Sequence, residues 1–203
     1  VAITSTITQP LCFGDAGTIT WSNSGGGTPY TNSIIDLSPP STLLFTGPGN
    51  TGTFPLGGGN YVLQVTDAFG CSDLVNISIT EPDALIASVI TTDATCNGYS
   101  NGAVSVTPIG GTFPYTIDYG GISPTALSAG TYSFTLTDAN GCPSIPPSYV
   151  FNILEPSDIT PTISSTSTSC SGYSDGSATV TGVGGTGPYT YFWSPTGLTT
   201  STI

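Results

Sequence analysis

A pattern that returns three times constrains this chain more than anything else in it. Cys12-Phe-Gly-Asp-Ala-Gly17 recurs as Cys96-Asn-Gly-Tyr-Ser-Asn-Gly102 and again as Cys170-Ser-Gly-Tyr-Ser-Asp-Gly176. Each copy is followed by a glycine pair, a proline and a tyrosine, at Gly26-Gly27…Pro29-Tyr30, Gly110-Gly111…Pro114-Tyr115 and Gly184-Gly185…Pro188-Tyr189. Further on, Leu56…Gly59-Asn-Tyr61 is matched by Leu127…Gly130-Thr-Tyr132, and Thr66-Asp67-Ala-Phe-Gly70-Cys71 by Thr137-Asp138-Ala-Asn-Gly141-Cys142. Both complete copies close on Glu-Pro, at Glu81-Pro82 and Glu155-Pro156, 74 residues apart, the same step as Cys96 to Cys170.

The repetition divides the chain into residues 1–83, 84–157 and 158–203. The first module carries about 14 more residues between Tyr30 and Tyr61 than the second holds between Tyr115 and Tyr132, a Pro/Gly-rich insertion near 38–52. The third stops short of the Gly-x-Tyr element and the second cysteine, so the 203 residues read as a window on a longer array.

Alternation and punctuation predict the elements. In the second module they give strands at 86–92, 103–107, 115–119, 122–127, 132–137 and 149–154, with no amphipathic helix. Asn-Gly and Asp-Gly pairs at 101–102, 140–141 and 175–176 suit tight turns, because these residues accept positive φ. The expected architecture is all-β: a tandem array of small antiparallel, immunoglobulin-like β-sandwich modules, each with one disulfide.

Charge then excludes whole classes of function. The chain has no Lys, Arg or His against 12 Asp plus Glu. Without cations it cannot neutralise phosphates, so no nucleic-acid partner is expected. Without histidine there is no Ser-His-Asp triad and no imidazole metal ligand. No apolar run is long enough for a spanning helix, so no membrane insertion is expected. Carboxylates confined to turns and linkers make no glycosidase pair, and the chain reads as no enzyme.

Five cysteines point to an oxidising, extracellular location. Pairing within modules would join Cys12 to Cys71 and Cys96 to Cys142, leaving Cys170 over. Strand parity bears on this. With six alternating strands, the turns holding the two cysteines lie at one end of the module; with seven, at opposite ends. The pairing therefore goes with six core strands, the insertion of the first module adding an even number.

Tyr61 and Tyr132, each five residues after a leucine, look like the tyrosine corner of β-sandwiches and are read as structural. Asp67 and Asp138 are expected to accept their own turn N–H groups. Together with Glu81 and Glu155 at the module ends they are also the only candidates for calcium, though no run of alternating carboxylates supplies its six to eight oxygens. No other cofactor is suggested. Trp21, Trp193 and the Pro-Tyr pairs are read as core anchors, with Trp193 and Tyr191 as the candidate glycan contact. A second expectation runs against the core reading of Trp21: if the modules are stacked spacers, repetition preserves what each core needs, and the insertion and Trp21, which differ between copies, would face solvent or a neighbouring module.

The order Cys-x-Gly…Gly-Gly-x-x-Pro-Tyr…Leu…Gly-x-Tyr…Thr-Asp-Ala-x-Gly-Cys…Glu-Pro resembles the SprB-type repeat of very large surface adhesins in gliding bacteria of the Bacteroidetes. The Tyr–Thr-Asp–Gly-Cys–Glu-Pro stretch stands out as its most specific part. The resemblance implies type IX secretion, display at the outer cell surface and adhesion, with the neighbouring modules, surface polysaccharide or the secretion and gliding machinery as partners. A structural stalk segment is then the leading function. A polysaccharide-binding module and a pilin-like subunit completed by a neighbour's strand are the alternatives.

Overall fold

The computed structural model describes residues 1–203, which form fifteen β-strands and no helix. The strands are β1 (Ala2–Thr8), β2 (Gly17–Ser24), β3 (Thr31–Asp36), β4 (Thr42–Pro48), β5 (Thr51–Leu56), β6 (Gly59–Thr66) and β7 (Ser72–Ile79) in the first module. The second holds β8 (Ile86–Thr92), β9 (Gly102–Ile109), β10 (Thr116–Asp118), β11 (Thr125–Leu127), β12 (Gly130–Thr137) and β13 (Tyr149–Ile153). The third holds β14 (Thr160–Thr166) and β15 (Ser177–Val183). Every pairing is antiparallel. The chain packs as two compact units that do not follow the repeat boundaries: Val1–Ser88 with Thr107–Asp118 and Thr135–Ser148, and Val89–Val106 with Tyr119–Phe134 and Tyr149–Ile203.

The first unit contains the seven strands of the first module, in a three-stranded sheet β1-β2-β5 and a four-stranded sheet β4-β3-β6-β7. Period-two alternation explains which face each strand buries. In β2, Gly17, Ile19 and Trp21 point inward while Thr20 and Ser22 face water; in β6, Tyr61, Leu63 and Val65 are the buried set. Ile19 and Trp21 of one sheet meet Ile34, Leu63 and Ile77 of the other in a single core. Each such apolar side chain withdrawn from water contributes roughly 1.5–3 kcal/mol.

The insertion belongs to this core. It forms β4 and leads into β5, and Phe45 from β4 packs edge-on to Trp21 at 6.0 Å and against Phe54 at 5.4 Å. Gly52 pairs with Trp21 across β5 and β2, and a Cβ there would collide with the indole ring. Trp21 is only 4% exposed and lies in the core cluster, in agreement with its reading as a core anchor and against the expectation that it faces solvent or a neighbour. Copies differ at this position because only the first module has the insertion whose glycine makes room for the ring. The outward side of β4 does meet solvent, through Leu43 and Leu44.

The insertion also corrects the strand count. It adds one strand, not an even number, and makes seven in the first module. With seven strands, the two cysteine turns fall at opposite ends of the module. Cys12 precedes β2, whereas the Cys71 loop is bonded to Gly27 just beyond the end of β2. An eight-residue strand, roughly 26 Å, separates them. Cys12 and Cys71 cannot pair, and Cys71 is free and exposed.

In the remainder of this unit, β10 pairs with the last three residues of β12, setting Ile117 opposite Leu136. In the second unit, β11 pairs with the start of β9, and β13 with the first five residues of β12. There Phe134 is buried and stacks on Tyr149 at 5.0 Å, with Tyr119 and Phe151 at 5.7 and 6.3 Å. β14 and β15 form a two-stranded ribbon whose β14 side chains, Ile163 among them, are exposed.

Candidate functional site at the repeat junction

The molecule's one disulfide joins Cys12 of the first module to Cys142 of the second, across 130 residues, with Cα atoms 5.5 Å apart. The expected pair Cys96–Cys142 is therefore also absent, and Cys96 and Cys170 are free and exposed. The order within the second module repeats that of the first: Cys96 precedes β9, and the Cys142 loop is bonded to Thr112 beyond its end. A module's two cysteines belong to opposite ends of its strands. What the bridge links is the head of one module and the base of the next.

The base is built from two motifs that bind each other. In the second module, Asp138 Oδ1 accepts the N–H groups of Asn140 and Cys142, both at 2.9 Å, closing its own turn, while Oδ2 accepts Thr112 N–H at 3.0 Å. Ala139 N–H donates in turn to the Thr112 carbonyl at 3.0 Å. The first module repeats this with Asp67, which accepts from Phe69 and Cys71 at 2.9 Å and from Gly27 at 3.2 Å. Burial alone would raise these carboxyls, but the backbone N–H groups of Cys71, Gly27 and Phe69 outweigh it for Asp67, and those of Cys142, Thr112 and Asn140 for Asp138. Both are held below the ordinary aspartate value.

The glycine pair needs its glycines here. Gly110 and Gly111 have φ of 76° and 59°, and a Cβ on Gly110 would collide with the Ala84 carbonyl. The loop is closed by the tyrosine after the proline: Tyr115 donates to the Gly110 carbonyl at 2.8 Å, as Tyr30 does to Gly25 and Tyr189 to Gly184.

The head is held by the closing glutamate. Glu81 accepts Gly58 N–H at 2.6 Å and Gly14 N–H at 3.2 Å, tying the Cys12 turn to the exit of β7. Glu155 likewise accepts Gly98 N–H at 2.7 Å beside Cys96. Tyr61 and Tyr132 donate to the carbonyls four residues back, at Gly57 and Ser128, both at 2.9 Å.

Head and base then meet along 81–85. Gly111 N–H donates to the Asp83 carbonyl at 3.0 Å, and Ile145 N–H to the Leu85 carbonyl at 2.8 Å. Asn140 reaches the Leu11 carbonyl at 3.4 Å. Beside the disulfide lies a cleft of about 410 Å³ walled by Phe13, Pro82, Leu85, Gly111 and Ile145. Sequence reasoning missed Ile145, Leu85 and Asn140, whose parts are played by main chain or by a residue that differs between copies. Parity separates the two cysteine turns for the seven strands of the first module, but it does not account for the six-strand second module, where they are separated too.

The calcium candidates Asp67, Glu81, Asp138 and Glu155 turn their oxygens to main-chain N–H groups, and no three acidic, cysteine or histidine residues are grouped for a metal ion. Trp193 and Tyr191, the glycan candidates, are half-buried, and the Trp193 indole N–H is engaged by the Thr200 carbonyl at 2.8 Å. No helix is long and apolar enough to cross a membrane.

Repeated β-modules whose recurring motifs serve turns, and whose covalent bridge serves a junction, define a structural repeat protein. Residues 88–118 and 162–198 match the SprB repeat, a structural, adhesin-type repeat of cell-surface proteins. The two matches begin one 74-residue step apart and cover the Cys-x-Gly turn and the Gly-Gly…Pro-Tyr loop. The Tyr–Thr-Asp–Gly-Cys–Glu-Pro stretch, singled out above as most specific, lies outside both. A search of curated proteins returns no match to the chain.

Proposed function

We propose that this chain is a stalk segment of a secreted bacterial surface adhesin, a run of β-modules that carries load between the cell surface and an adhesive region. The observation that carries this reading is the junction, where a disulfide, the main-chain hydrogen bond from Gly111 to Asp83 and the Asn140 side-chain bond to the Leu11 carbonyl tie successive modules together. A binding module has no need to fix its neighbour, whereas a spacer transmits force only through its junctions. The absence of Lys and Arg also removes every trypsin site, which suits an exposed fibre. Type IX secretion and a part in gliding follow from the family resemblance and belong to the same proposal.

The test is solution shape. Small-angle scattering of the oxidised chain is expected to give an elongated particle, and reduction of Cys12–Cys142 is expected to broaden its distance distribution as the junction loosens. A compact particle unaffected by reduction, or selective binding of a polysaccharide by the chain, would overturn the stalk reading.

A further inference from the structure

The three free cysteines are not equivalent. The base loop of the first junction, Asp138 to Ile145, is bonded to Cys12 and Leu85 and shares one cleft with the rest of its seat, Pro82 and Gly111. One repeat further on, a cleft of about 370 Å³ is lined by Cys96, Pro156, Ile159, Gly185 and Thr186. Cys96, Pro156, Ile159 and Gly185 stand where the first seat has Cys12, Pro82, Leu85 and Gly111. The local bonds correspond as well. Gly185 N–H donates to the Ser157 carbonyl at 2.7 Å as Gly111 does to Asp83, and Glu155 holds Gly98 as Glu81 holds Gly14. Gly184 lies against the Asp158 carbonyl as Gly110 lies against that of Ala84, and a Cβ in either place would collide with the oxygen. The second junction thus has the whole seat, with an exposed thiol where the first has a disulfide.

We infer that Cys96 is the open half of a second junction staple, a docking seat for the Thr-Asp-x-x-Gly-Cys loop of the module that follows it in the array. This deepens the stalk reading and rests on it. Cys71 is the reciprocal half: its loop, Thr66 to Cys71, is built like the loop that bears Cys142, so it presents a base to the head of a preceding module. The linkage rule is that the first cysteine of each module bonds to the second cysteine of the next, forming a covalent ladder along the array. Each rung joins two thiols into one S–S bond, and the two protons and two electrons pass to a disulfide-bearing oxidant, which becomes a dithiol.

The second module of the chain provides the probe, a peptide of residues 136–147 in which Cys142 is a mixed disulfide with glutathione. Attack by a protein thiolate on the peptide sulfur forms the new S–S bond and expels glutathione thiolate, which takes up the proton, so no further oxidant is needed. The 203-residue oxidised chain, equilibrated with this probe in a glutathione buffer and mapped without reduction, offers three exposed thiols. Cys96 has the seat; Cys71 is the wrong half; the seat for Cys170 would fall outside residues 1–203. Capture at Cys96 is expected to exceed capture at Cys71 and Cys170 by tenfold or more. A peptide carrying D138N, which weakens the bond the docked loop would make to the N–H of Thr186, the counterpart of Thr112, is expected to lose most of that preference. Equal capture at the three thiols, or a preference untouched by D138N, would overturn the inference. Either result leaves the shape measurement to judge the stalk reading separately.

Discussion

At the scale of the residue, one glycine does what the repeat pattern does not announce. Gly52 sits across from Trp21 in the β2–β5 pairing, and its missing side chain is the space that the indole fills. The β5 backbone is held by its ladder to β2 and cannot retreat. G52A is therefore expected to destabilise the chain by about 1–3 kcal/mol, as overpacking of a closed core does. Denaturant unfolding followed through tryptophan fluorescence measures it, and an unchanged midpoint would refute the packing argument.

At the scale of the element, the Thr-Asp-x-x-Gly-Cys turn ties the base of each module to its glycine-pair loop through one carboxylate. Asp67 and Asp138 lie below the ordinary aspartate value in the folded chain, so they bind protons less readily folded than unfolded. Their contribution is fully present above the ordinary value of about 4 and is lost as pH falls through the lower folded value. The thermal midpoint is expected to stay level from about pH 7 to about 5 and to fall below about 4. The double variant D67N/D138N is expected to start lower at neutral pH and to show a shallower acid slope. A wild-type midpoint that already declines between neutral pH and about 5 would show that other groups govern acid stability.

At the scale of the whole molecule, electrostatics is repulsion without compensation. With 12 carboxylates and no cationic side chain, no side-chain ion pair exists for salt to screen. Added salt shortens the range of the repulsion to about 8 Å at physiological strength, so sodium chloride is expected to leave the thermal midpoint unchanged or to raise it. A midpoint that falls as salt rises to about 0.5 M would contradict this. The junction disulfide acts at this scale too. Closing 130 residues restricts the unfolded chain by roughly 5 kcal/mol in the chain-entropy account, and the restriction falls on the link between modules.

Much of the fold was legible in the residues because its signals are local. Strict alternation in Gly130–Thr137 and Gly102–Ile109 produced strands where expected, since a half-buried strand needs period two whatever it pairs with. The Asp138 turn was legible for the same reason: an aspartate two and four residues before the N–H groups it accepts needs no tertiary partner. The fate of the insertion was not legible, because whether a Pro/Gly-rich stretch loops out or adds a strand depends on the core it finds, here Trp21 and Phe54. Nor was the disulfide legible. Five cysteines and their spacing established that bridges were available, but spacing along a chain carries no information about which end of a sandwich a turn occupies. That was decided by where the folded strands carry each turn: the two cysteine turns flank opposite ends of β2 in the seven-strand first module and of β9 in the six-strand second, which turned a bridge within a module into one between modules.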